Sequence, residues 1–455
     1  MLRSINPSNY KVVGSVKVST PKEISDKVRQ ARLYQKYWSE MGAAMRVHMV
    51  RKAMAEFEKR KDEVIKLESM EMGKPITAAA SDFNDAMAFA NWYLDNAEKC
   101  LAAETTFEDE KEIHRVYREP LGVAAVIIPW NYPFLMFVWT VIPNLLAGNC
   151  VVLKHSEECP LIGKLIEEVM HKYVHVSAFS EVYGGGEVGM LLVRNDIGLI
   201  SFTGSTATGK KLYETAGRKF IRAVMEMGGS APGIVFEDAN IDEAVKSICT
   251  YRLTNAGQYC DGLKRLMVHQ DRFEEVVSKL SNAFATLWVG PADLESTELG
   301  PLVAKRQLDL LAAQVADAKR LEARVITGGK SLESELGGAF FQPTLLTGVT
   351  PAMRVWREEV FGPVLPVVRF RTEDEAISIA NDTVYGLGGY VYTADMNRAE
   401  RVARALKTGM VSINGTNYTT PFNPFGGWKN SGMGREHGKY GFHELTQTKV
   451  VARNK

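Results

Sequence analysis

A chain of 455 residues is too long for one ordinary core and predicts two or three domains. Its formal net charge of +1 supplies no general attraction to nucleic acid or to an anionic membrane, and 45% hydrophobic with 24% charged residues fit a soluble globular protein. Five cysteines without close pairs form no disulfide framework, and no Cys/His cluster has zinc-ligand spacing, so a reducing, cytoplasmic setting without a metal is expected. The first residues lack the long apolar run of a signal peptide.

In chain order, TPKE at 20–23 is a capping box with Pro21 at the first helical position, and it opens an amphipathic helix to about Trp38. Residues 44–70 continue as a second long helical pattern. Residues 121–153 carry no charge and imitate a membrane span, which needs about 20 apolar residues. Pro129, Asn131, Pro133, Pro143, Asn144 and Asn149 interrupt the run with groups that lipid would leave unsatisfied. The better reading is a strand at 122–128, a tight PWNYP corner, a buried helix at 134–147 and a strand near 150–153. Further strands are expected at 197–202, 233–236 and 265–269, and helices at 205–217, 241–253 (capped by Asn240) and 272–288. Strands alternating with helices predict an α/β protein with largely parallel sheets. The Gly-, Pro- and aromatic-rich run at 423–441 reads as a long ordered loop or an interaction segment.

Two glycine loops invite a phosphate. GGGEVG at 184–189 matches the dinucleotide fingerprint literally, but no acid lies among Thr206 to Lys210, where a ribose partner is wanted. In LISFTGSTATGKKL at 199–212 a strand ends near Phe202, Gly204 turns the chain, and Ser205 and Thr206 open a helix whose free N–H groups could hold a pyrophosphate. A plain strand-to-helix turn explains that stretch equally well. One cysteine also stands apart. Cys150 sits among apolar residues in AGNCVVL, whereas Cys260 follows small and polar residues in TNAGQYCDGLKR and precedes a Lys264–Arg265 pair, a setting that suits access.

PWNYP at 129–133, VVLKHSE at 151–157, FTGST at 202–206, MEMGGSAP at 225–232, NAGQYC at 255–260, EEVFGPV at 358–364 and PFGGWKNSG at 424–432 occur in one order across nearly the whole chain. With these motifs the sequence resembles the NAD(P)-dependent aldehyde dehydrogenase superfamily. The resemblance implies that Cys260 attacks the aldehyde carbonyl as a thiolate. It implies that the Asn131 amide and the Cys260 backbone N–H receive the oxyanion, and that Glu226 activates water to hydrolyse the thioester. Relatives that pass the acyl group to coenzyme A commonly lack that glutamate, so a free acid product is expected. Lys154 and Glu157 match the adenosine-ribose contacts, Gly204 and Ser205 the pyrophosphate contacts, and Glu359 and Phe361 the nicotinamide ribose and ring contacts. Trp130 would line the cofactor cleft. The Glu157 carboxylate favours NAD, although Lys154 could accommodate the phosphate of NADP.

The implied fold has a Rossmann-like cofactor domain (1–100 and 121–228), an α/β catalytic domain (229–427) and a β-arm (101–120 and 441–455) reached through a connecting loop at 428–440. Such an arm builds a homodimer or homotetramer. Two departures stand out. His155 replaces a frequent proline, and Asp261 puts an anion beside the nucleophile, which should raise the thiol pKa. Trp139 stands where acid-semialdehyde relatives commonly carry an arginine. With Tyr132, Leu135, Met136 and Phe425 it implies a largely apolar funnel for a neutral aliphatic or aromatic aldehyde, at which Asp261 would repel a distal carboxylate. A cationic aminoaldehyde is the second choice. Succinate semialdehyde would need an arginine from another loop, and a catalytically silent member of the fold is a further alternative, against which the presence of all three chemical residues argues.

Overall fold

The computed structural model describes residues 1–455 and contains four sheets. The first has six strands, in the order Gly432–Met433, Arg222–Glu226, Leu199–Thr203, Val123–Ile127, Cys150–Lys154 and Phe179–Glu181. All neighbours pair parallel except the short first strand. The crossovers are the helices Pro133–Leu146, Pro160–His171, Gly186–Arg194 and Thr206–Lys219. Helices on both faces bury every residue of Val123–Ile127 and Cys150–Lys154, which explains their continuous apolar spelling.

The uncharged stretch at 121–153 is therefore a buried strand–helix–strand unit, and no helix of the protein is long and apolar enough to cross a membrane. Its amides have protein partners. Asn149 Oδ1 accepts from the N–H groups of Leu121 and Gly122, and its Nδ2 donates to Asn144 Oδ1 and to the Leu445 carbonyl.

Four N-terminal helices pack on this unit, the first against the strands Val123–Ile127 and Cys150–Lys154 and the other three against the crossover helices. Thr20 caps Pro21–Glu40 with the full reciprocal box to Glu23. The single helix expected over 44–70 is two, Ala43–Lys59 and Lys61–Met72, because the chain leaves helical geometry at Arg60. The Arg60 side chain there pairs with Glu63 and with Glu168 of the neighbouring helix. The fourth helix, Ile76–Leu101, packs along Pro133–Leu146.

The second sheet has seven strands, in the order Arg324–Thr327, Thr344–Thr347, Val364–Phe370, Leu263–His269, Ala231–Val235, Tyr390–Tyr392 and Ser412–Ile413, with only the first pair antiparallel. Each of these two sheets has its own hydrophobic core. The third sheet is antiparallel, in the order Thr446–Asn454, Glu112–Pro120 and Glu104–Glu108. Its outer strands are almost wholly exposed, so it buries too little surface to hold itself together by core packing. The fourth is the hairpin Leu2–Ile5 with Val12–Val16.

The 428–440 stretch, expected as a connecting loop, is built into the first sheet. Gly432 pairs with Glu226, and a Cβ at Gly432 would collide with the Met225 carbonyl oxygen, so the edge is closed by a residue without a side chain. Residues Gly438–Glu444 then form a helix against Ile76–Leu101, and the arm strand starts at Thr446.

Candidate active site

The site lies where strand ends of the first sheet meet the loop before Leu263–His269. Strand Val123–Ile127 runs into the PWNYP corner, which carries Asn131. Strand Arg222–Glu226 ends on the glutamate itself. Cys260 arrives by a distorted turn in which Asn255, Ala256 and Gly257 all have positive φ, at 52°, 53° and 72°. A left-handed alanine costs about 1–2 kcal/mol and persists only where its surroundings enforce it.

Those surroundings are a lattice of amides. Asn255 Nδ2 donates to the Asn131 carbonyl at 2.9 Å, and Asn131 Nδ2 donates to the Gln258 carbonyl at 3.0 Å. Gln258 Nε2 donates to the Asn255 carbonyl, and its Oε1 accepts from Val303 N–H. The corner holding Asn131 and the loop holding Cys260 are thus bonded to each other. Asn131 keeps a second amide N–H beyond this bond.

Cys260 is half-buried, with Sγ 3.7 Å from Asp261 Oδ1. Burial and then the Asp261 carboxylate push the thiol well above its ordinary value; Lys264 opposes them, while Glu226 and Glu359 add to the rise. Asp261 is held in place by Tyr390, whose hydroxyl donates to its carbonyl at 2.7 Å, and by Thr419 Oγ1, 3.4 Å from Oδ2.

Glu226 is 2% exposed, and neither carboxylate oxygen has a partner. Gly426 leaves room for it, since a Cβ there would stand 2.7 Å from Oε1. Burial, then Glu436, hold Glu226 well above the usual carboxylate range, with Arg435 opposing. Glu436 is itself pushed up to about 8 by burial. A buried carboxyl with free oxygens and a raised pKa suits a general base working near neutrality.

Of the residues expected around a nicotinamide cofactor, Trp130, Lys154 and Ser205 fall at the same strand ends of the first sheet as Asn131 and Glu226, while Glu359 and Phe361 lie just before Val364–Phe370 of the second. Lys154 closes Cys150–Lys154, and its Nζ is 3.0 Å from Glu157 Oε2. Burial raises the Glu157 carboxyl, but Lys154 and Arg306 outweigh it and hold it below the usual value. Ser205 caps Thr206–Lys219 through Thr208 N–H, and this helix start is exposed, so its remaining N–H groups are open to an anion. Phe361 meets Trp130 edge-on, with centroids 5.6 Å apart. Glu359 accepts from Gly229 N–H at 3.0 Å and from Lys264 Nζ at 2.5 Å. An open helix terminus, a lysine-paired carboxylate and an aromatic wall fit an adenine dinucleotide. His155 takes no part: buried, it bonds Glu181 at 2.5 Å within the core.

Of the expected substrate residues, Tyr132 has Lys74 Nζ 3.8 Å over its ring. That lysine is already engaged by the carboxylates of Glu68 and Asp82. Leu135 and Met136 are buried on the same helix. Trp139 is wedged among Phe89, Phe425 and His437, at 5.0, 5.5 and 4.3 Å between centroids, and its Nε1 has no partner. Gln258, Asn255 and Glu436 were not singled out from the sequence, and Lys264 was noted only as a charge following Cys260. Only Lys264 left a visible signal, as one of two adjacent cations opening an apolar strand.

A parallel sheet with an open helix terminus at its strand ends, meeting a second α/β unit across a cysteine, a carboxyl and an amide, fits a nicotinamide-dependent oxidoreductase working through a cysteine. The Aldehyde dehydrogenase family profile matches residues 1–451. The chain is 39% identical to the succinate-semialdehyde dehydrogenase (NADP+) of Deinococcus radiodurans over 98% of this chain and 94% of that one. It is 36% identical to peroxisomal aminoaldehyde dehydrogenase 1 of Pisum sativum, over 99% and 92%. The crystal structure of Staphylococcus aureus betaine aldehyde dehydrogenase with NAD+ superposes with a TM-score of 0.95 at 31% identity, covering 99% of this chain and 90% of that one. The chain belongs to the aldehyde dehydrogenase family, and it oxidises aldehydes with NAD(P).

Proposed function

We propose that the chain converts an aldehyde bearing a distal ammonium group into the free carboxylic acid, with Cys260 as nucleophile and Glu226 as the base of hydrolysis. The Cys260 thiolate adds to the carbonyl carbon, and the free N–H of Asn131 and the Cys260 backbone N–H receive the oxyanion. One such donor contributes about 3 kcal/mol of barrier lowering. A nicotinamide held by Glu359 and Phe361 would supply the acceptor for the hydride leaving that carbon. Glu226 then takes a proton from water as the water attacks the thioester, and Cys260 leaves as the thiolate. Glu157 supports a preference for NAD: its pairing neutralises Lys154, and its own charge repels a 2′-phosphate.

The substrate reading rests on one observation, the Asp261 carboxylate beside the thiol. Tyr132 and Tyr418 supply aromatic surface near it, which a cation favours. The nearest cation on the Tyr132 side, Lys74, is spent on two carboxylates. A substrate carboxylate would meet Asp261 unpaired, at a cost of several kcal/mol. An ammonium group is preferred over the neutral chain that the apolar lining by itself suggests. The test compares kcat/KM for 4-aminobutanal, hexanal, benzaldehyde and succinate semialdehyde. A tenfold advantage for succinate semialdehyde, about 1.4 kcal/mol of transition-state preference, defeats the reading.

The exposed three-stranded sheet supports a homodimer or homotetramer built on that arm. All five cysteines are free, which supports a reducing, cytoplasmic location.

A further inference from the structure

Lys264 opens the strand Leu263–His269 and is fully buried. An ammonium group has three N–H bonds to place, and a buried one left short is costly. All three are placed. Nζ donates to the Cys260 carbonyl at 2.8 Å, to the Gly229 carbonyl at 3.0 Å and to Glu359 Oε1 at 2.5 Å. The same cation lies 5.1 Å over the Phe361 ring.

These acceptors belong to three separate stretches of chain. Cys260 carries the thiol. Gly229 ends the turn that leaves Glu226. Glu359 and Phe361 form the wall assigned to the nicotinamide end of the cofactor. Gly229 is also tied to Glu359 directly, since its N–H donates to the same Oε1. Two donors therefore fix Oε1, and the other oxygen, Oε2, lies against Gly228, where a Cβ would collide with it. The carboxylate is thereby held in one orientation with one oxygen committed to the protein.

We propose that Lys264 is a positioning residue that joins the nucleophile loop, the turn after Glu226 and the cofactor-holding carboxylate into one rigid unit, and sets which oxygen of Glu359 is offered to the cofactor. The proposal rests on the roles given above to Cys260 and Glu359. A second consequence follows from its charge. Among the charges acting on the Cys260 thiol, Asp261, Glu226 and Glu359 disfavour the thiolate and Lys264 favours it. Lys264 thus offsets part of the field that Asp261 introduces, and does so from the backbone side, where it does not obstruct the substrate.

The experiment is a double-mutant cycle with two readouts on the full-length protein. The Kd for NAD+ is measured for wild type, Lys264→Met, Glu359→Gln and the double variant. Independently, the pH midpoint of iodoacetamide alkylation at Cys260 is followed by peptide mass mapping. Lys264→Met is expected to weaken NAD+ by about tenfold in the wild-type background and by less than about threefold when Glu359 is already changed, because the two act as one element. It is also expected to move the alkylation midpoint upward. Lys264→Gln retains two N–H donors but no charge. It is expected to show the same upward midpoint with a smaller loss of NAD+ affinity, and it carries both readouts if the Met variant folds poorly. An equal loss of affinity in both Glu359 backgrounds, or an unmoved midpoint in both Lys264 variants, overturns the proposal. Cys260→Ser serves as the separate control. If turnover survives it, the nucleophile assignment fails, whereas the affinity cycle still decides the link between Lys264 and Glu359.

Discussion

Replacing Asp261 with Asn removes one charge and keeps the side-chain volume, so it isolates the effect of the anion on the nucleophile. Asp261 Oδ1 stands 3.7 Å from Cys260 Sγ. Two unit negative charges at that distance repel by about 1 kcal/mol when screened as in water, and by about 4 kcal/mol at an effective dielectric constant near 20. At about 1.4 kcal/mol for each tenfold change in the ionisation equilibrium, the repulsion displaces the thiol midpoint by about one to three pH units. The sign is set by which form the anion opposes. Asp261 disfavours the thiolate, so Asp261→Asn lowers the thiol pKa. The rate of iodoacetamide alkylation of Cys260 as a function of pH, with peptide mapping to exclude Cys249, reports the midpoint directly. The expected result is a midpoint at least about one pH unit lower. Alkylation at neutral pH then rises by up to about tenfold for each pH unit by which the midpoint falls, as long as the midpoint stays above neutral. The same variant should lose its preference for 4-aminobutanal over hexanal. A midpoint that stays in place or rises refutes the electrostatic account of Asp261, and a retained aminoaldehyde preference refutes its role in substrate choice.

Cys260→Ser is expected to abolish aldehyde oxidation while leaving the Kd for NAD+ within a few-fold, and turnover above about one per cent of wild type counts against Cys260 as nucleophile. Glu226→Gln should give a burst of NADH followed by a slow steady state in stopped flow, because deacylation alone loses its base; an equal fall in both phases removes that role. The raised pKa of Glu226 also links to stability, since the native state favours the protonated form and is penalised as pH climbs above the ordinary glutamate range. Glu226→Gln should therefore match wild type in Tm at about pH 4 and exceed it increasingly at higher pH, as thermal melts across pH would show. Glu157→Ala should narrow the ratio of kcat/KM between NAD and NADP, and an unchanged ratio means that Glu157 does not discriminate.

Features that depend on a few consecutive residues were legible in the sequence. Thr20 and Glu23 cap a helix because their partners lie three positions apart, and Asn240 caps a distant one by the same rule. The prolines and amides of 121–153 pointed to a buried strand–helix–strand unit rather than a membrane span, and the ordered motifs put Cys260, Asn131 and Glu226 forward as members of one site. Local rules reach about one helical turn and no further. The break at Arg60 escaped them, because the residues that use it lie partly on another helix, at Glu168. The burial of Lys264 escaped them too. In a parallel sheet covered on both faces, strand periodicity offers no exposed side to mark a charge as solvated, and the carboxylate that makes this lysine tolerable is 95 positions away. Glu436 stands beside Glu226 only because Gly432 and Met433 add an edge strand to the first sheet. The sequence by itself determined which chemical groups the site contains and in what order the chain delivers them. Tertiary structure alone decided their protonation, their orientation and their partners, since each depends on desolvation and on charges brought close by folding, which no stretch of sequence carries.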